Sequence, residues 1–130
     1  MLAESKAFSG FAVDDLDAAK RFYGETLGLE TTVLDEENGL LQLDLAGDRN
    51  TIVYRKPDLV PGNYTILNFP VDDIDAAVDE LTGRGVEFER YEGMPQDEKG
   101  VMRGRAANRG PDIAWFKDPA GNILSVLQES

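Results

Sequence analysis

The side chains this sequence lacks constrain its chemistry as much as those it carries. The 130 residues include no histidine and no cysteine. That removes the commonest general base and metal ligand, and every thiolate nucleophile, disulfide and Cys-metal site. A Ser-His-Asp triad is impossible, and Ser125 has no base to activate it as a nucleophile. What remains is oxygen chemistry from 25 acidic residues, a single tryptophan (Trp115), and a basic set, Arg103, Arg105 and Arg109, isolated in an acidic chain. Trp115 offers a stacking platform for an aromatic or cationic ligand, or an ordinary core or interface aromatic. The arginines suit an anionic group, an acidic partner across a dimer, or a solvated loop.

Charge and composition exclude further classes. Twenty-five acids against thirteen bases give a net charge of −12. Such a surface repels nucleic acid and anionic membranes, so neither is an expected partner. No apolar run has the length of a membrane span, and Met1–Gly10 carries no signal-peptide pattern, so a cytoplasmic protein is expected. Apolar residues make up 42%, enough to build the core of one compact domain.

The elements that position these groups follow from an internal repeat. Phe11-Ala12-Val13-Asp14-Asp15-Leu16-Asp17-Ala18-Ala19 matches Phe69-Pro70-Val71-Asp72-Asp73-Ile74-Asp75-Ala76-Ala77, with seven of nine positions identical. In each copy an apolar strand (Ala7–Val13, Tyr64–Val71) runs into an Asp pair suited to capping a helix. Ile74, Ala77, Val78 and Leu81 then trace a helical stripe, as do Leu16, Ala19, Tyr23 and Leu27. Gly28, Gly83 and Gly85 are natural stops. Strand-like runs follow at Leu29–Leu34, Leu40–Leu45 and Thr51–Arg55, and again at Val86–Tyr91, Ile113–Lys117 and Ile123–Gln128. The last two are joined by the turn Asp118-Pro119-Ala120-Gly121-Asn122. The fold class is therefore α+β: a single domain (1–130) of two tandem strand-helix-three-strand (βαβββ) modules, 4–56 and 63–129, joined through Pro57–Gly62. Glu92–Pro111 is a long polar loop of the kind that forms a lid or stays mobile.

Three stretches make the chain resemble the vicinal oxygen chelate superfamily of glyoxalases, bleomycin-resistance proteins and dioxygenases. They are Val13–Tyr23 leading to Leu27-Gly28-Leu29, Val71–Ala77 leading to Arg84-Gly85-Val86, and Trp115–Leu124. The resemblance implies curved mixed sheets around a cleft, and metal ligands in the first and last strand of each module. Carried across, those positions are Phe8, Val53, Ile66 and Ser125, with Val53 assigned through Asn50-Thr51-Ile52-Val53. None is a side chain that divalent metals favour, so no metal, no cofactor and no metal-dependent catalysis is expected. Metal-free members of the bleomycin-resistance type bind a drug in a groove, usually as homodimers. That suggests a small-molecule binding protein and a homodimer here.

Strand alternation under the same pattern turns Phe8, Ile66, Asn68, Ile113, Trp115, Ile123 and Ser125 toward the cleft. If Leu41, Leu43 and Leu45 pack on the helix, Gln42 and Asp44 join them, beside Arg55. With Val53 these form the candidate ligand-binding set, and no residue is assigned a catalytic role. Two other readings stand beside binding: a glyoxalase-like lyase or isomerase (or dioxygenase-related enzyme) with a non-standard site, and an interaction module whose groove a protein fills.

Overall fold

The computed structural model describes residues 1–130 and divides into two compact units, Met1–Val60 and Pro61–Ser130. In the first unit a short turn of helix at Leu2–Glu4 precedes β1 (Gly10–Val13) and α1 (Leu16–Lys20). The strands β2 (Thr31–Asp35), β3 (Leu40–Leu43) and β4 (Thr51–Arg55) follow. In the second, β5 (Thr65–Pro70) leads to α2 (Ile74–Gly83), then β6 (Met102–Arg103), β7 (Asp112–Lys117) and β8 (Ile123–Gln128). Each unit holds one mixed four-stranded sheet, in the orders β1-β4-β3-β2 and β5-β8-β7-β6. The first and last strands of each unit run parallel and the other pairs antiparallel. These are the βαβββ modules of the repeat.

The Asp pairs act as expected, and in both copies the second aspartate is the cap. An Asp15 carboxylate oxygen accepts the Ala18 N–H at 3.1 Å, and Asp73 accepts that of Ala76 at the same distance. Beyond α1 the helix widens into a π turn over Arg21–Thr26, where the Leu27 N–H reaches back to the Phe22 carbonyl at 2.9 Å. Tyr23 is wholly buried there, its ring 5.7 Å from Phe11 and 5.1 Å from Phe22. Phe11 therefore marks the helix face of the first sheet. Val13, Leu41, Leu43, Thr51 and Val53 share its parity, and all are buried. In the second sheet Gln128 marks the helix face, because its side-chain oxygen accepts the Ile74 N–H at the start of α2 (3.0 Å). Leu124, Val126, Ala114 and Phe116 lie on that face and are buried.

Two expected strands are corrected. Pairing in β1 begins at Ser9, whose carbonyl accepts the Ile52 N–H, so Ala7 and Phe8 lie outside the strand. β4 starts only at Thr51, which leaves nothing for Phe8 to pair with, and Phe8 is 74% exposed. In the second unit Val86–Tyr91 is not a strand. It contributes a single bridge, Phe88 to Phe116, and one bond from the Glu89 N–H to the Trp115 carbonyl. The Gln96 carboxamide takes the backbone groups a ladder would need, accepting from the Tyr91 N–H (2.8 Å) and donating to the Glu89 carbonyl (2.9 Å). Met102–Arg103 completes the sheet instead.

The β7–β8 turn is built around Asp118, whose carboxylate accepts the N–H groups of Ala120 and Asn122 (both 2.9 Å) and the Asn122 side chain (3.0 Å). Both residues are buried. Asp118→Asn keeps one acceptor oxygen and loses the charge. It is expected to lower stability by about 1–2 kcal/mol in urea unfolding. A loss below a few tenths would mean the turn is held by Gly121 and Pro119 alone.

Candidate functional site

The repeat and the observed registers together define equivalent positions. Phe11 and Phe69 are equivalent, and they pair with Val53 and Val126 respectively. Val53 thus corresponds to Val126, on the helix face, and the counterpart of Ser125 is Ile52. This corrects the assignment of Val53 by one residue, and in a strand one residue changes the face. Arg55 shares the parity of Val53, not that of Gln42, and its guanidinium donates to the Glu37 carbonyl (3.3 Å) rather than meeting Asp44. Gly39 makes that packing possible: at φ +73° it takes a conformation other residues resist, and a Cβ there would lie 2.7 Å from the Arg55 Cβ.

On the face opposite the helix, the first unit presents a row across its strands of Gly10, Ile52, Gln42 and Thr32. Asp44 lies at the end of this row. Its two carboxylate oxygens accept from the Thr32 hydroxyl (2.7 Å) and the Gln42 amide (2.6 Å). Those bonds, Thr32 first, hold the Asp44 carboxyl below the usual carboxylate range. It is a fixed anion and a poor proton acceptor at neutral pH.

The equivalent row in the second unit is Asn68, Ser125 and Trp115. Ser125 is fully buried, and its hydroxyl donates to the Asn68 side-chain oxygen at 2.6 Å. Trp115 is half-buried, with Tyr91 packed edge-on against it at 5.6 Å between ring centres. The Tyr91 hydroxyl is buried with no hydrogen-bond partner, and burial, then the nearby Glu89 carboxylate, pushes it above the usual phenol range. Ile113 shares the face with Trp115. Ile66 sits at a bulge between Thr65 and Leu67, unpaired with β8, and Ile123 is buried opposite both Thr65 and Lys117. Of the candidate set, the sheets therefore bring together Gln42 with Asp44, and Asn68 with Ser125, Trp115 and Ile113. Phe8, Val53 and Arg55 stand apart. Thr32, Ile52 and Tyr91 belong to these surfaces without having been in the set. Thr32 and Ile52 follow only once the register is known.

The long loop is held by ion pairs. Arg103 donates two bonds to Asp75 on α2 (2.7 and 3.1 Å) and one to Asp97 (2.9 Å). Lys99 reaches Asp75 and Asp79 (3.3 and 3.0 Å), and Arg105 pairs with buried Asp112 at 3.2 Å. Arg103 and Arg105 are thus neutralised within the unit and are not a waiting anion site. The Arg103 guanidinium holds the Asp75 carboxyl down to about 2, overcoming the opposing effect of burial, with Lys99 adding to it. A depressed carboxylate contributes stability above its unfolded value, near 4, and loses it as pH falls through the folded one. Melting temperature should therefore fall between about pH 4 and pH 2, and Asp75→Asn should flatten that fall. Equal acid sensitivity in the two proteins would exclude this pairing as its cause.

The donor set does not fit a divalent metal. Phe8, Ile52, Ile66 and Ser125 hold the corresponding positions, and the Ser125 hydroxyl is engaged by Asn68. No three His, Cys, Asp or Glu side chains converge to hold an ion.

Two mixed βαβββ sheets with a repeated capping motif define a glyoxalase-type architecture. The chain belongs to the glyoxalase/bleomycin resistance protein/dioxygenase superfamily, whose family model matches residues 7–126. It is similar to TnmS3, an antibiotic binding protein from Streptomyces sp. CB03234, at 27% identity and a TM-score of 0.67, over 98% of both chains. A superfamily member from Sphaerobacter thermophilus DSM 20745 shares 27% identity at a TM-score of 0.69, over 98% of this chain and 99% of that one. The uncharacterized protein YraH of Bacillus subtilis (strain 168) is 26% identical, over 89% of this chain and 91% of its own. No helix is long and apolar enough to cross a membrane.

Proposed function

We propose that this chain is a metal-independent small-molecule binding protein of the glyoxalase/bleomycin-resistance type, which sequesters or carries a small aromatic or cationic ligand. The observation that carries this reading is the Asn68–Ser125–Trp115 row. Where metal-dependent relatives would hold a ligand in the last strand, this chain sets a buried hydroxyl between an amide and an indole. Apolar surface with a few polar groups suits binding of an organic molecule rather than Lewis-acid chemistry. The similarity to an antibiotic binding protein supports it. An enzyme using Asp44 as base is disfavoured, since both its oxygens are engaged and the bonds to them make the carboxylate a weaker base. In the same reading the protein is cytoplasmic and a homodimer, with the ligand-contacting set drawn from Gln42, Asp44, Asn68, Ile113 and Trp115, and buried Ser125 held against Asn68.

The test is a screen of aromatic and cationic small molecules, reading Trp115 emission and melting temperature together. Because Trp115 is the single tryptophan, its emission reports this face alone. The expected result is a subset of compounds that moves both signals with saturation, unchanged by a chelator. A broad library that moves neither, or binding that a chelator abolishes, would overturn the proposal.

A further inference from the structure

The Asn68–Ser125 pair fixes more than its own geometry. Ser125 is fully buried, and its hydroxyl proton has one acceptor, the Asn68 oxygen. Turning the amide over would leave that proton buried without a partner, a costly arrangement. Ser125 therefore sets which end of the Asn68 carboxamide faces outward. The outward end is the NH2 group, with two donor hydrogens that meet no acceptor in the chain, on a residue that is itself exposed. The equivalent position in the first unit is Gly10, which has no side chain to donate.

Across the sheet, Asn68 and Trp115 lie one strand to either side of Ser125. At ordinary strand spacing they are about 10 Å apart, the span of a small fused-ring molecule and its substituent. Lys117, on the same face of β7, is paired with Glu89 at 3.2 Å and adds little net charge.

We infer that this row selects a planar aromatic molecule bearing a hydrogen-bond acceptor, such as an aryl ketone. The Asn68 NH2 donates to the ketone oxygen, Trp115 holds the ring, and Ser125 acts as a positioning residue that orients the amide. The inference rests on the binding function proposed above and narrows its ligand from aromatic or cationic to aromatic and acceptor-bearing, since outward N–H donors repel a cation.

The experiment uses the whole chain and two probes that differ only at the acceptor, 1-indanone and indane. Affinities are read from the Trp115 indole N–H and the Asn68 side-chain NH2 signals in 15N-resolved NMR titrations. Indanone is expected to bind about 3- to 10-fold more tightly than indane, the worth of one good hydrogen bond, and to move the Asn68 NH2 pair. In Asn68→Leu the preference should vanish while both probes still shift the indole signal. Ser125→Ala should reduce the preference and Ser125→Thr, which keeps the hydroxyl, should retain it. Because the readout is a ratio between probes, general loss of structure does not mimic it. Equal binding of the two probes by the wild type, or a preference that survives Asn68→Leu, would overturn the acceptor inference and leave the Trp115 platform standing. If neither probe moves the indole signal, the platform and the inference fall together.

Discussion

Trp115→Ala is expected to weaken binding of any ligand found by the emission and melting screen by at least about 30-fold, the effect of truncating a central aromatic anchor. The ring is half-buried, backed edge-on by Tyr91, and lies beside the Ser125 hydroxyl on the face turned away from the helix. A half-buried aromatic held by a neighbouring ring supplies contact area with little loss of freedom. Removing it also loosens Tyr91, so Trp115→Phe is the useful companion. It keeps a ring for Tyr91 to meet and should recover part of the affinity. Calorimetric titration decides the matter without relying on the lost fluorophore. Unchanged affinity in Trp115→Ala would mean that ligand binds elsewhere.

The second large effect is structural. Arg103→Leu should cost about 2–3 kcal/mol, lowering the melting temperature by about 6–12 °C. It should also expose residues 92–111 to limited proteolysis. One guanidinium joins α2, through Asp75, to the loop, through Asp97, and lies 3.8 Å from buried Asp112. Without it three carboxylates lose a shared cation. A third of the side chain still meets solvent, which screens the pairing, so the figure stays below that of a fully buried pair. Arg103→Lys should fall between the two, since an ammonium cannot make the two-pronged bond to Asp75. Unchanged proteolysis in Arg103→Leu would assign the order of the loop to Gln96 instead, which bonds Glu89, Tyr91 and Gly100.

The modules were legible because the repeat is compact and each part of it has a local cause. An Asp caps a helix wherever it falls, and Ile74 and Val78 are buried at the helical spacing the sequence shows. That Trp115 and Ser125 share a face was legible for a similar reason: alternation on either side of the short Asp118–Asn122 turn sets them opposite one another. What failed depended on distant partners. Val86–Tyr91 alternates like a strand, yet its backbone groups are taken by Gln96, a side chain in the following loop. Val53 was assigned by local pattern, while its face is set by pairing with Phe11, far off in the chain. The widening of the helix after Lys20 and the use of the loop arginines as internal ties are equally tertiary.

The most direct test of the central claim is native mass spectrometry of untreated purified protein, followed by addition of a screened ligand. Metal-independent binding predicts a polypeptide mass free of divalent metal that gains the ligand's mass at one per chain, with the subunit count read from the same spectrum. A stoichiometric Mn, Fe, Ni or Zn that survives purification would contradict the account and make metal-dependent catalysis the leading explanation.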